Sequence, residues 1–294
     1  MSKLYGALEA GGTKMVCAVG DENGKILEQI SLPTKEPANT VPAIIDYFKD
    51  KDIKALGIGC FGPIALNKKS PKYGHILDTP KLPWRDYDMV GAFEKALGLP
   101  IGFDTDVNGS LLGEVTYGAA KGLSDVVYIT IGTGIGAGVL SGGKLLHGML
   151  HPEAGHIRLA PIAGDNYKGK CPYHGTCFEG MAAGPAIEER WGAPGKELAV
   201  RDEVWELEAG YIAQAIASYI MILSPQRFIL GGGVMHQEQL FPLIRKKVIE
   251  EIAGYIRTDE LSDIDNYIVP ASLNDDQGIM GAVKLAIDAE QGLI

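Results

Sequence analysis

The chain has 294 residues, 46% of them hydrophobic and 22% charged, the composition of a globular protein long enough for two domains of ordinary size. A formal charge of -10 at pH 7 excludes broad electrostatic binding of a polyanion, so no nucleic-acid partner is expected. No stretch approaches the roughly 18 consecutive apolar residues of a membrane span, and the opening, with Lys3 as its one basic residue before Glu9, does not read as a signal peptide; a cytoplasmic protein with no membrane partner is expected.

In chain order, residues 4–33 predict strand, glycine turn, strand, polar turn and strand. An apolar run from Leu4 to Leu8 meets Glu9-Ala10-Gly11-Gly12-Thr13-Lys14; a second run begins at Met15, and Asp21-Glu22-Asn23-Gly24 turns the chain into a third. The same order recurs from Val126: a strand, the turn Gly132-Thr133-Gly134-Ile135-Gly136, a strand from Ala137, the tight turn Ser141-Gly142-Gly143 and Lys144-Leu145. Chance resemblance of two hairpins is the simple alternative; a duplicated fold holding a nucleotide between its halves is the other. Glycine and threonine suit phosphate because glycine lets the backbone N-H groups approach the oxygens closely.

Between the repeats the pattern predicts helices near 40–49, 89–97 and 107–117, with strands at 55–59 and 100–104, an α/β alternation. The long loop 63–87 carries Trp84, which is either a sugar-facing aromatic or the loop's hydrophobic anchor. At the end of the second of these strands stands Asp104-Thr105-Asp106-Val107-Asn108. Asp104 or Asp106 can serve merely as a helix N-cap, yet carboxyl ends of strands in open α/β sheets are where ligands bind.

The richest stretch runs from His151 to Glu179. Cys171-x-x-His174-x-x-Cys177 supplies three zinc-type ligands and His156 a fourth, enough for a closed tetrahedral site. A metal there would hold Glu153 and Glu179 where they can hydrogen-bond a polyhydroxylated ligand. His151 receives no role. In a reducing compartment Cys17 and Cys60, within apolar runs, are expected to be core thiols. Beyond this stretch the pattern predicts helices at 185–191, 203–223, 240–252 and 277–289, and a strand at 227–230 that runs into Gly231-Gly232-Gly233, room for a ribose or flat ring.

Two motifs are decoys. Gly57-Ile58-Gly59-Cys60-Phe61-Gly62 matches G-x-G-x-x-G, but Pro63 and the loop after it offer no crossover helix. Gly164-x4-Gly169-Lys170 has the spacing of a P-loop, but Cys171 replaces the Ser/Thr and no apolar strand precedes it.

With these residues in hand, the chain resembles the sugar kinases of the ROK (repressor, ORF, kinase) family, and within it the zinc-containing fructokinase branch. The resemblance rests on Leu8 to Lys14, Ile131 to Gly136, Leu230 to Gly233, and Pro152-Glu153-Ala154-Gly155-His156 with Cys177-Phe178-Glu179-Gly180. It implies a duplicated actin-like, ribonuclease H-like ATPase fold of two lobes with a cleft between them: residues 1–118, joined by the C-terminal helix at about 277–294, and residues 119–276. It implies Asp106 as the catalytic base and Glu153, His156, Glu179 and Thr105 on the sugar. Gly11, Gly12, Thr13, Lys14, Gly132, Thr133 and Gly134 would hold the phosphates, and Gly231, Gly232 and Gly233 the adenosine. His156, Cys171, His174 and Cys177 would bind a structural Zn2+, and Mg2+ would accompany ATP. The expected reaction is phosphorylation of D-fructose to fructose 6-phosphate by a homodimer.

The sequence departs from the family pattern in three places: Glu9 replaces an Asp, Thr105 an Asn, and His174 a cysteine. Broader action on mannose or glucose is the nearest alternative. A sugar-responsive regulator of the same family would carry a basic DNA-binding module ahead of the first strand, and an actin-like or chaperone-like ATPase would not need the compact metal stretch beside carboxylates.

Overall fold

The computed structural model describes residues 2–294 and contains two five-stranded sheets of one topology. The first comprises β1 (Leu4–Ala10), β2 (Lys14–Asp21), β3 (Ile26–Pro33), β4 (Ile53–Cys60) and β5 (Ile101–Thr105), in the order β3-β2-β1-β4-β5. The second comprises β6 (Val126–Ile131), β7 (Ile135–Ser141), β8 (Lys144–Leu145), β9 (Arg227–Gly231) and β10 (Ile268–Pro270), in the order β8-β7-β6-β9-β10. In each, the first strand pairs antiparallel with the second and parallel with the fourth, and the fourth pairs parallel with the fifth. The repeat legible in the sequence is therefore a repeat of whole sheets, extending to strands whose sequences share no motif.

The chain forms two compact units. One runs to Gly122 and takes back Leu145–Pro152 and Ser272–Ile294; the other holds Leu123–Lys144 and Glu153–Ala271. The boundaries fall after Gly122, Lys144, Pro152 and Ala271, so residues 145–152, from the last residue of β8 onward, belong with the first unit.

In the first unit β1, β2 and β4 are buried almost throughout, as the inner strands of a sheet covered on both faces must be, while the edge strand β3 exposes Glu28 and Gln29. Cys17 and Cys60 are buried core thiols; burial pushes Cys17 up to about 12 and Cys60 well above the usual thiol range. The helices are α1 (Pro37–Phe48), α2 (Met89–Leu97), α3 (Asp106–Tyr117) and, from the end of the chain, α10 (Gln277–Glu290). Asp88 caps α2 by accepting from Gly91 N, and Gly98 ends it in a left-handed turn.

The approach of α3 to α10 depends on glycine. A Cβ on Gly281 would lie 1.7 Å from the Gly109 carbonyl oxygen, and one on Gly57 of β4 would lie 1.8 Å from that of Ala282. Backbone thus packs on backbone, which fixes the start of α3 against the end of β5. Gly57 of the rejected dinucleotide motif serves this packing.

The second unit is built around α6 (Asp202–Leu223), whose Trp205, Tyr211, Ile212, Ile216 and Ile220 are buried with Phe228 and Leu230 of β9. Around it lie α4 (Phe178–Ala182), α5 (Gly184–Trp191), α7 (Leu240–Ile252) and the short α8 (Asp259–Ser262) and α9 (Ile264–Tyr267), the last two not foreseen from sequence. Among the described residues no helix is long and apolar enough to cross a membrane.

Candidate active site

In the first unit the glycine turn between β1 and β2 is held by its own backbone. Gly11 N donates to the Glu9 and Lys14 carbonyls at 3.2 and 3.0 Å, Thr34 Oγ1 donates to the Gly11 carbonyl at 2.8 Å, and Thr34 N donates to the Thr13 carbonyl at 3.0 Å. A Cβ on Gly11 would meet the Lys14 carbonyl oxygen at 2.7 Å, so the turn requires glycine there. Glu9 closes β1 just before it, beside Gly278, and burial raises its carboxyl above the usual range while Lys14 opposes the shift.

At the carboxyl end of β5 three consecutive side chains divide their duties. The N-cap of α3 is Thr105, whose hydroxyl accepts from Asn108 N at 3.1 Å; neither neighbouring acid caps the helix. Threonine wins the place because it stands immediately before the first helical residue. Asp104, 3% exposed, spends its carboxylate on Thr105 N and Asn108 Nδ2, both at 2.7 Å, and on His147 Nε2 at 2.9 Å. Asp106, half-buried at the first position of α3, accepts from Val107 N at 2.9 Å.

His147 lines a cavity of about 440 Å3 with Leu66, Asn67, Lys68, Lys69 and the 148–150 backbone. Its hydrogen bond to Asp104 raises its pKa above the ordinary imidazole value, against the opposing effect of burial. His151 has a partner as well: its Nε2 accepts from Ile64 N at 3.2 Å, tying the 145–152 segment to the loop after β4.

In the second unit Gly132 N donates to the Gly134 carbonyl at 2.9 Å, and Gly184 N donates to that of Gly132 at 2.8 Å, setting the second glycine turn on the start of α5. Of the three later glycines, Gly231 is pressed on Tyr128, where a Cβ would lie 2.4 Å from the hydroxyl. Gly232 adopts φ +88° against the Ile131 carbonyl, while Gly233 faces open space. Gly132 lies next to Gly233, since a Cβ on Gly132 would be 3.8 Å from Gly233 N. The second glycine turn and the segment 231–233 are therefore neighbours.

The four thiol and imidazole groups converge. One ligand atom from each of His156, Cys171, His174 and Cys177 lies within 4.8 Å of the others; His156 Nδ1 is 3.8 Å from Cys171 Sγ and 3.6 Å from Cys177 Sγ, and His174 Nδ1 is 3.7 Å from Cys171 Sγ. A tetrahedral ion with bonds of about 2.0–2.3 Å needs neighbouring ligands roughly 3.3–3.8 Å apart, a spacing these three pairs have, so the cluster has the donor set and closeness of a metal site.

This cluster connects to the second glycine turn at Ile135. Cys177 caps α4 by accepting from Gly180 N at 3.4 Å, and Glu179, in the first turn of that helix, accepts from Ile135 N at 3.0 Å. On the other side a Cβ on Gly155, beside His156, would lie 1.9 Å from the Ile135 carbonyl oxygen. Residues adjoining the cluster thus brace both sides of Ile135, and the Glu179 carboxylate, expected on the sugar, lies against the second glycine turn. Glu153 is exposed at the start of the 3-10 turn Ala154–His156.

Sequence reasoning missed His147, whose partnership with Asp104 is purely tertiary, and Lys81, whose only local signal is a basic residue inside the proline-rich Thr79-Pro80-Lys81-Leu82-Pro83-Trp84. Trp84 proves to be the loop's anchor: it is 2% exposed, donates from Nε1 to the Lys35 carbonyl at 2.8 Å and lies edge-on to Phe61 and Tyr87.

Comparison with known proteins agrees with this arrangement. The family model described as the ROK family matches residues 5–289. The chain is 47% identical to a fructokinase of Pediococcus pentosaceus, covering 96% of this chain and 97% of that one. It is 43% identical to a fructokinase of Streptococcus mutans, covering 97% and 98%. Among solved structures it is similar to a ROK family glucokinase from Streptomyces griseus in complex with glucose and AMPPNP, with a TM-score of 0.76, 26% identity and coverage of 97% and 99%.

Proposed function

Because the chain belongs to the ROK family, we propose that it is an ATP-dependent fructokinase that converts D-fructose to fructose 6-phosphate. The observation that carries the proposal is near full-length identity with relatives named fructokinase, in a chain that keeps both glycine turns and the Cys/His cluster.

Phosphoryl transfer needs alignment and charge neutralisation more than covalent help. In the first unit Asp106 accepts the proton of the attacking sugar hydroxyl. Its neighbour Asp104 is unsuited to that task, being buried and committed to three donors. The backbone of Gly11 to Thr13, with Lys14, binds phosphate oxygens; in the second unit Gly132, Thr133 and Gly134 do the same, and Gly233, with Gly231 and Gly232 shaping the strand end, receives the adenosine. Thr105 orders the start of α3, Glu153 and His156 serve the sugar side of the second unit, and Glu179 is assigned to the sugar together with its hold on Ile135.

Mg2+ would supply charge neutralisation to bound ATP, and the carboxylate of Glu9, near the end of β1, is a hard oxygen donor of the kind that would hold it. Zn2+ would suit the two thiols and two imidazoles of the cluster; held by four protein ligands it would serve as a structural brace and would not activate water. Location in the cytoplasm is supported by the unpaired Cys17 and Cys60, and a homodimer by the apolar surface of Met221 and Ile222, 45% and 76% exposed.

The test is coupled ADP release from purified enzyme across D-fructose, D-mannose and D-glucose. Fructose should give the highest kcat/KM. Release that no hexose stimulates would remove the kinase assignment, and preference for mannose or glucose would replace fructose while keeping it.

A further inference from the structure

Lys81 stands between Pro80 and Leu82, at the entry of the 3-10 turn Leu82–Trp84. Its backbone is fixed on both sides: Lys81 N donates to Thr79 Oγ1 at 3.4 Å, and its carbonyl accepts from Trp84 N at 2.8 Å, next to the buried Trp84 indole. From that anchored start the side chain lies over the first glycine turn. A Cβ on Gly12 would be 2.7 Å from Lys81 Cε and 3.2 Å from Nζ, so the ammonium rests directly against the backbone of Gly12. Among the described residues no carboxylate forms an ion pair with Lys81, which is half-buried. A partly desolvated ammonium without a counter-ion, laid on a backbone turn of the phosphate-binding kind, is a site for an anion.

We propose that Lys81 is a catalytic residue whose Nζ contacts the terminal phosphoryl group of ATP at the Gly11-Gly12 turn and carries its charge during transfer. The inference rests on the kinase assignment. In the step, the bond from the terminal phosphorus to the bridging oxygen of ADP breaks, a bond from that phosphorus to the sugar oxygen forms, and the hydroxyl proton passes to Asp106. Lys81 gains and loses no proton. Lysine suits the task as a compact point charge on a stem that spans the distance from a rigid loop.

Lys81→Met keeps the stem over Gly12 and removes the charge, so it separates a catalytic role from mere covering of the turn. The expected result is a kcat lower by about 100-fold or more, with KM for fructose changed by less than about threefold. By calorimetry, affinity for a non-hydrolysable ATP analogue should fall about tenfold while that for ADP stays within about twofold, and Lys81→Arg should recover part of the loss. If Lys81→Met is insoluble, Lys81→Gln makes the same comparison. An active wild type whose Met or Gln variant keeps kcat and ATP-analogue affinity within about threefold overturns the role of Lys81 alone. A wild type that releases no ADP with any hexose overturns the kinase assignment and this inference with it.

Discussion

Asp104 Oδ2 accepts a hydrogen bond from His147 Nε2 at 2.9 Å, and through it the buried end of β5 holds an imidazole at the wall of a cavity also lined by Lys68 and Lys69. The carboxylate is 4% exposed and the imidazole 38%. Because the bond raises the imidazole's folded pKa, its contribution to stability is complete below the unfolded histidine value near 6.5 and disappears as pH rises through the folded value. The stability difference between wild type and His147→Gln should therefore be larger at pH 5.5 than at pH 8.5. With this much exposure and two lysines nearby it should not exceed about 1 kcal/mol. Urea unfolding at the two pH values measures it; a difference that grows toward alkaline pH would contradict the pairing.

Asp106 differs from Asp104 in its exposure and its place at the start of α3. Asp104 is enclosed by donors, whereas Asp106 is half-buried at the first position of α3. Asp106→Asn keeps the side-chain oxygen that accepts from Val107 N and removes the base. Its kcat should fall by roughly 100- to 10,000-fold while ATP binding changes little. Turnover within tenfold of wild type would exclude Asp106 as the base.

The link from the Cys/His cluster to Ile135 predicts what metal loss does. Purified protein should carry about one equivalent of zinc per chain, and removing a structural zinc releases the elements it holds. Here those are the Cys177 cap of α4 and, through Glu179, the second glycine turn. Chelation should lower the thermal midpoint and weaken binding of a non-hydrolysable ATP analogue. Less than half an equivalent of metal in fully active protein, or chelation without effect on nucleotide affinity, would remove the cluster's role as a brace.

The parts of the site legible in the sequence are those whose physics is local. The two glycine turns follow from their residue types, and Cys171, His174 and Cys177 lie close enough in sequence that their convergence follows from spacing. His147 with Asp104, Lys81 with Gly12, and His151 with Ile64 are meetings created by tertiary packing, and no periodicity encodes them. The cap of α3 fell to Thr105 because a threonine directly before the helix outcompetes an acid one residue inside it. Trp84 could equally have faced a ligand; the Phe61 and Tyr87 edges beside it, unknowable from its neighbours, turned it inward.

Glu114 carries the last prediction, because it ties together two of the four points where the chain crosses between units, the first and the last. Fully buried on α3, it accepts from Ala119 N at 2.8 Å, just before the chain leaves the first unit, and from Ser272 N and Oγ, both at 2.7 Å, where it returns. Gly118 leaves space for the carboxylate, since a Cβ there would lie 2.1 Å from Glu114 Oε2. Glu114→Ala strands three donors and should cost about 3 kcal/mol or more, because a buried donor without an acceptor loses its full solvation. Glu114→Gln keeps one acceptor oxygen but turns an NH2 toward donors, and should fall between Ala and wild type. Gly118→Ala should destabilise by displacing the same carboxylate, and its effect should be far from additive with Glu114→Ala because both act on one clamp. Denaturant unfolding of the four proteins and the double variant decides the matter. A Glu114→Ala loss under about 1 kcal/mol, or strict additivity with Gly118→Ala, would show that the crossings are held by something other than this carboxylate.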